Sequence, residues 1–138
     1  MILDNQTLLS NAQAVTADAG SANQIDLSPI ASGIVRDIGN GNPIPLLVQV
    51  VETFNNLTSL TVSLQVDGDS AFGSPKTVKS TAAIPLASLV AGYQFNLDYV
   101  PRDTDERYMR LLYTVAGTAP TAGKITAGVV HGGHQTNG

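Results

Sequence analysis

The stretch TSLTVSLQV, Thr58 to Val66, places Leu60, Val62, Leu64 and Val66 at every second position, with Ser59, Thr61, Ser63 and Gln65 between them. That period of two is the signature of a strand with one face in a core and one face outward, since successive side chains on a strand point to opposite sides. A helix would scatter the same residues around its axis. Burying the four apolar side chains contributes on the order of 6–12 kcal/mol before chain entropy, and a one-residue slip would turn all of them outward, so the register is strongly set.

The neighbouring segments read the same way. LLVQVVETF, Leu46 to Phe54, puts Leu46, Val48, Val50 and Phe54 on one face and Leu47, Val51 and Thr53 on the other, the pattern of a central strand covered on both sides. Asn55 and Asn56 follow with turn chemistry, which predicts a hairpin onto 58–66. In RYMRLLYTVA, Arg107 to Ala116, Met109, Leu111, Tyr113 and Val115 alternate with Arg110, Leu112 and Thr114; in KITAGVV, Lys124 to Val130, Ile125, Ala127 and Val129 do so. Shorter strands are expected at 24–27, 33–38, 75–80 and 93–97, with Tyr93, Phe95 and Leu97 on one face of the last. Strong breakers stand between them: Asn40-Gly41-Asn42-Pro43, Asp67-Gly68-Asp69-Ser70 and Gly117 to Gly123.

One segment has helical punctuation. PLASLVA, Pro85 to Ala91, starts on proline and is followed by Gly92, which predicts one or two turns, with Leu89, Val90 and Tyr93 plugging the open end of a sandwich. Residues 1–22 are small and polar; Leu8, Leu9, Ala12 and Val15 make only a weak helical stripe, and the reading is an extended arm with a first strand near 13–16. About eight strands without alternating helices predict an all-β, antiparallel β-sandwich of jelly-roll type with one short helix. The expected organisation is one domain over 1–138, with 1–22 as the arm and 131–138 as a flexible tail. No linker or repeat divides it.

Composition limits the function. Charged residues make up 13% of the chain and aromatics 5%, against about 25% charged in an average soluble domain. A neutral, hydroxyl-rich surface is cheap to desolvate and hints at assembly. The net charge is −4, with 7 Lys and Arg and no basic run, which disfavours nucleic acid as a partner. No apolar run is long enough for a membrane span. The zero cysteine count excludes a disulfide framework and thiolate chemistry, and Asp4 stands where a signal peptide would carry positive charge.

Candidate chemistry is thin. His131 and His134 in HGGH lack the further ligands a metal site needs, and the reading is a tail. Asp67-Gly68-Asp69 opens like a calcium loop but lacks the remaining ligands, so a turn is expected. Asn5-Gln6-Thr7 and Asn56-Leu57-Thr58 match a glycosylation pattern that recurs by chance. The acidic run Asp98, Asp103, Asp105 and Glu106 lies in a loop with Pro101, between Arg102 and Arg107, where ion pairing and solvation explain it better than glycosidase-type catalysis. Because loop tips of a jelly roll gather at one end, Arg102, Asp103, Asp105, Glu106 and Arg107 are candidate partner or oligomer contacts, as are Arg36 and Asp37 beside the Gly39 to Pro43 turn. No catalytic residue, metal ligand, cofactor or small-molecule substrate is expected.

A succession of segments carries a resemblance: LD at the start, QAVTA (Gln13 to Ala17), RDIGNG (Arg36 to Gly41), SLTVSLQ (Ser59 to Gln65), IPLASLVAGY (Ile84 to Tyr93), ERYMRLLYTVAGTA (Glu106 to Ala119) and TAGKITAGVV (Thr121 to Val130). In this order they resemble the small capsid cement, or decoration, proteins of tailed bacteriophages, of the type known from a Bordetella phage. The tail HGGHQTNG does not match. The resemblance implies a jelly roll, assembly as a homodimer or alternatively a trimer, and attachment across capsomer seams of a shell built from an HK97-type major capsid protein. It further implies residence on the outer capsid surface of a virion made in a bacterial cytoplasm, and no enzymatic activity. The competing expectation is a carbohydrate-binding or adhesive β-sandwich, against which the absence of Trp and the 4 Tyr stand.

Overall fold

The computed structural model describes residues 2–28, 37–41 and 43–131. Nine strands run antiparallel through them: β1 (Ile2–Ala14), β2 (Ala19–Gly20), β3 (Ile25–Asp26), β4 (Leu46–Glu52), β5 (Leu57–Asp67), β6 (Lys76–Ser80), β7 (Ile84–Pro85), β8 (Tyr108–Gly117) and β9 (Lys124–His131). One sheet has the order β1-β9-β4 and the other β2-β8-β5-β6, with β3 also on β8 and β7 also on β5. Beyond β4 the chain from 92 to 100 continues the first sheet as a fourth, loosely bonded member. Phe95 N–H donates to Val48 O at 2.9 Å, Leu46 N–H to Asp98 O at 2.9 Å and Val50 N–H to Tyr93 O at 2.8 Å. Isolated bridges Pro45–Tyr99 and Gln49–Gln94 fix the same register.

With β2 and β3 taken as one interrupted strand, and β6 and β7 as another, two four-membered sheets face each other. The chain alternates between them in the order of a jelly roll, as the sequence predicts. The alternating residues fill the space between: Leu60, Val62, Leu64 and Val66 from β5 meet Met109, Leu111 and Tyr113 from β8, Val48 and Val50 from β4, and Ile125 and Ala127 from β9. The ladder of β5 with β8 runs from Leu57–Gly117 to Asp67–Tyr108 and forms the spine of its sheet.

Several expectations are corrected. β4 and β5 are not a hairpin: they lie in different sheets, and residues 53–56 form an arch between them. Asn55 shapes that arch by accepting N–H groups of Thr121 and Ala122 on its side-chain oxygen, and Asn56 takes a φ of 66°. Phe54 turns inward beneath it against Gly123, where a Cβ would fall 2.3 Å from the ring. The short helix is a single 3-10 turn, Leu86–Ser88, because Pro85 is already committed to β7 opposite Ser59. Leu89 is fully buried there, Tyr93 half-buried, and Val90 exposed, so only part of that trio plugs the core.

The amino-terminal arm packs along the domain, and its strand on β9 covers Ile2–Ala14 rather than only 13–16. Three register shifts interrupt its ladder, the largest between Leu3 and Leu8, where Asp4 Oδ1 accepts Gln6 N–H. Such bulges kink an edge strand and spoil it as a template for further pairing. Of the strand expected at 33–38, residues 33–36 lie outside the described residues, and 37–38 enter a turn. In the tail, His131 ends β9 and the rest lies outside the described residues.

The outward face of β5 also departs from expectation. Ser63 and Gln65 are buried: the Ser63 hydroxyl bonds that of Ser80 on β6 at 2.8 Å, and Gln65 lies under Arg110 and the 68–75 loop. Phe72, at a φ of 52°, stacks on the Arg110 guanidinium at 4.2 Å, and Arg110 Nε donates to Gln65 Oε1 at 3.1 Å.

Candidate functional site

The jelly-roll connections place residues 27–28, 37–41 and 43–45 and the 68–75 and 99–107 segments at one end of the sandwich, because β4 and β8 start there and β5 ends there. Nine of the eleven acidic residues lie toward that end: Asp4, Asp26, Asp37, Asp67, Asp69, Asp98, Asp103, Asp105 and Glu106. At the opposite end Glu52 pairs with Lys124 at 3.3 Å, and the Asp18 carboxylate accepts Val115 N–H at 2.7 Å. The basic Lys76, Arg102, Arg107 and Arg110 lie at the first end with most of the acids, so that end is dense in charge of both signs, with an excess of acid.

Most of the candidate contact residues are bound within the chain. Asp37 Oδ1 accepts Gly39 N–H at 2.9 Å and Oδ2 accepts Asp103 N–H at 2.8 Å. These bonds staple the 37–41 turn to the 101–104 loop. The Asp103 N–H above all holds the Asp37 carboxyl below its ordinary range, against the opposing effect of burial and with further help from the Gly39 N–H. Gly39 packs so closely on Pro101 that a Cβ would sit 1.7 Å from the carbonyl oxygen. Thr104 is buried beneath, its hydroxyl donating to Pro101 O at 2.8 Å.

Asp105 and Arg107 reach neighbouring strands. Lys76 Nζ lies 2.9 Å from Asp105 Oδ1, which raises the lysine pKa and ties β6 to the loop. Arg107 grips Asp26 with two parallel bonds, Nε to Oδ1 at 3.0 Å and Nη2 to Oδ2 at 2.9 Å, while its guanidinium lies 4.9 Å from the Tyr108 ring centre. That fork geometry is the best available to arginine, yet both groups are well solvated, so the pair orients the loop more than it stabilises the fold. The loop carboxylates Asp67, buried, and Asp69, exposed, are bonded within the loop: Asp67 accepts the N–H groups of Asp69 and Ser74, and Asp69 that of Ala71. They close the turn between β5 and β6, as the sequence predicts.

Arg102 and Asp103 present exposed side chains, with Asp103 at a φ of 72°, and Glu106 is half-buried beside Gly68. Arg36 lies outside the described residues. The structure thus brings Asp37, Arg102, Asp103, Asp105, Glu106 and Arg107 to one end. Within that group Asp37, Asp105 and Arg107 shape the platform, while Arg102 and Asp103 project from it. Sequence reading missed Asp26 and Lys76, which lie far from the acidic run in the chain and reach it only through strand pairing, and Thr104, which sits within the run but is buried beneath it. No group of three or more His, Asp or Glu side chains arranged for a metal ion occurs among the described residues.

The aromatic side chains are also committed. Phe54, Phe72, Phe95 and Tyr113 are buried, Tyr93 packs edge-on to Phe95 with centroids 5.2 Å apart, and Lys79 covers the Tyr99 ring at 4.6 Å. That last contact joins β6 to the outermost part of the other sheet, closing one open side of the sandwich with a cation–π pair worth about 0.5–1 kcal/mol. On the opposite side, Ser10 and Tyr113, both fully buried, share a 2.7 Å hydroxyl–hydroxyl bond between β1 and β8.

No curated protein matches the chain. The family model described as Bbp16 matches residues 9–129, from the middle of β1 to nearly the end of β9. That span takes in both sheets and the whole charged loop end, and on it the chain belongs to the Bbp16 family.

Proposed function

We propose that the protein is a bacteriophage capsid cement protein that binds the outer surface of an HK97-type icosahedral shell and bridges neighbouring capsomers. The observation that carries this reading is membership of the Bbp16 family over 9–129, whose name suggests a Bordetella phage protein. The jelly-roll topology and the low charge density support it. A rigid sandwich of paired strands keeps two contact patches at a fixed separation, and a surface with 13% charged residues can be covered without stranding many ions.

The physical benefit is multivalency. A patch of roughly 800 Å² per protomer is of ordinary interface size, and a homodimer, or alternatively a trimer, spanning two capsomers makes its second contact intramolecular, a gain of about 10²–10⁴ in avidity. In this reading Arg102, Asp103 and Glu106 contribute polar rim contacts to the major capsid protein or a second copy. Asp37, Asp105 and Arg107 hold those contacts in place. The site of action is the outside of the virion after synthesis in the bacterial cytoplasm, and the role is mechanical, with no reaction assigned. The adhesive alternative gains nothing from the aromatic side chains, whose rings are buried, paired or covered by cations.

The test is co-sedimentation of the purified protein with expanded shells lacking it, followed by imaging and by the temperature of shell disruption. Added surface density and a higher disruption temperature are expected. Failure to bind such shells, together with turnover of a small substrate, would remove the proposal.

A further inference from the structure

We infer that Asn40 is a site of spontaneous chemical modification: the fold leaves its side chain and the Gly41 amide free to cyclise, so residue 40 converts to aspartate and isoaspartate as the protein ages. This does not depend on the proposed role.

The reaction is intramolecular. The Gly41 backbone nitrogen attacks Asn40 Cγ, a C–N bond forms, and the side-chain nitrogen leaves as ammonia, giving a five-membered succinimide. Water then adds to either ring carbonyl and reopens the ring, as aspartate or as isoaspartate with the backbone rerouted through Cβ. The step requires a nucleophilic nitrogen that is not donating elsewhere, a side chain that can swing onto it, and no bulk at the following residue.

At Asn40-Gly41 all three conditions hold. Both residues are exposed, and neither the Asn40 carboxamide nor the Gly41 N–H makes a hydrogen bond among the described residues. Gly41 has a φ of +106°, which a glycine adopts without strain, and a Cβ built there would meet nothing within 4 Å. Only the Asn40 N–H is engaged, donating to Asp37 O at 3.2 Å, which leaves the reacting atoms on the open side of the turn.

Asn137-Gly138 lies outside the described residues; at the other asparagines and at the Asp67-Gly68 pair, the reaction is blocked. The amides that would attack Asn5, Asn11, Asn56 and Asn96 already donate: Gln6 N–H to Asp4, Ala12 N–H to Thr126, Leu57 N–H to Asn55 O and Leu97 N–H to Phe95 O. The Asn55 and Asn23 side chains are themselves held, the first by Thr121 and Ala122, the second by Leu8 O. Asn42 precedes Pro43, which has no N–H. Asp67-Gly68 has the right sequence for the related aspartate reaction, but both Asp67 oxygens accept backbone N–H groups and the residue is buried.

The product adds a carboxylate to a chain of net charge −4, at the end that already holds most of the acids. The isoaspartate form also lengthens the backbone beside the Asp37 staple.

The test incubates the folded full chain at mildly alkaline pH, beside a synthetic peptide of residues 37–44. The tryptic fragment 37–76 is then mapped by mass and by isoaspartyl methyltransferase labelling. The expected result is conversion at residue 40 at a rate within about tenfold of the peptide, since no protecting structure must open first. Residues 55, 56 and 67 should stay unchanged over the same period, and N40Q should abolish the labelling of that fragment. Conversion at 40 slower than that limit, or isoaspartate appearing at 56 or 67 as fast as at 40, would overturn the inference.

Discussion

Replacing Ser10 with alanine is expected to destabilise the protein more than replacing Tyr113 with phenylalanine, although both remove the same hydrogen bond. The two hydroxyls are 2.7 Å apart and fully buried, but their other partners differ. Ser10 Oγ also donates to Gln13 Oε1 at 2.7 Å, so Tyr113→Phe leaves a serine that is still bonded. Ser10→Ala leaves the phenol stranded in the core, and a buried hydroxyl without a partner costs about 1–3 kcal/mol, against about 0.5–1.5 kcal/mol for a bond whose remaining partner is satisfied. The expected losses are about 2 kcal/mol for Ser10→Ala and about 1 kcal/mol for Tyr113→Phe. The double variant should fall close to Ser10→Ala alone, giving a coupling of about 1 kcal/mol. Urea unfolding should show shifted midpoints at an unchanged slope, and for a chain of this size Ser10→Ala should lower Tm by about 6–10 °C. The reasoning fails if Ser10→Ala costs less than Tyr113→Phe, or if the two effects simply add.

Alkaline pH probes the same pair. Burial, opposed in part by the Ser10 bond, raises the Tyr113 pKa, so the folded state keeps the phenol neutral after the unfolded chain has begun to ionise. The stability this confers is complete below about pH 10, is lost as pH rises further, and the loss should shrink in Tyr113→Phe, as unfolding midpoints across that range will show. At the acid limit the sign reverses: Asp37 and Glu52 have lowered pKa values, so the unfolded state takes up protons first below about pH 4, and Asp37→Asn should flatten the resulting fall in stability. Gly39→Ala should cost more than about 3 kcal/mol, because its Cβ would collide with backbone, whereas Gly68→Ala meets only the flexible Glu106 carboxylate at 3.4 Å and should be tolerated; soluble yield and urea midpoint distinguish them. If the charged end contacts the shell, Arg102→Glu should slow association and change its salt dependence without moving Tm, as measured by co-sedimentation at several ionic strengths.

The alternation of 58–66 and 107–116 was enough to place β5 and β8 and most of the core, because a buried face leaves its period directly in the residue order. Partnership left no such trace. Asn55 and Asn56 signal a reversal, but a reversal within one sheet and an arch between two use the same residues, and only the distant Thr121 and Ala122 N–H groups distinguish them. β1 was obscured by its own bulges: with register shifts between Leu3 and Leu8 and again around Ser10, Leu3, Leu8 and Leu9 follow no single period. Ser63 and Gln65 read as solvent-facing because they are polar, but Ser63 is bonded to Ser80 on β6 and Gln65 is covered by Arg110 under Phe72, from a loop visible in the sequence only as a breaker. At the charged end, the run from Arg102 to Arg107 was legible as a surface loop. Its division into platform and projecting groups was not, since Asp26 and Lys76 are supplied by strands far away in the chain.

The antiparallel pairing of β1 with β9 sets Ile2 directly opposite His131, so the two outer limits of the sandwich leave from the same corner. Tension applied between those two points would peel β1 away one rung at a time, the least resistant way to open a sheet. Tension applied from one loop end to the other would instead shear the long β5–β8 ladder, loading all its rungs together. A molecule gripped by its loop ends would therefore withstand far more force than one pulled by its termini, and single-molecule extension along the two axes would read that difference as two distinct rupture forces.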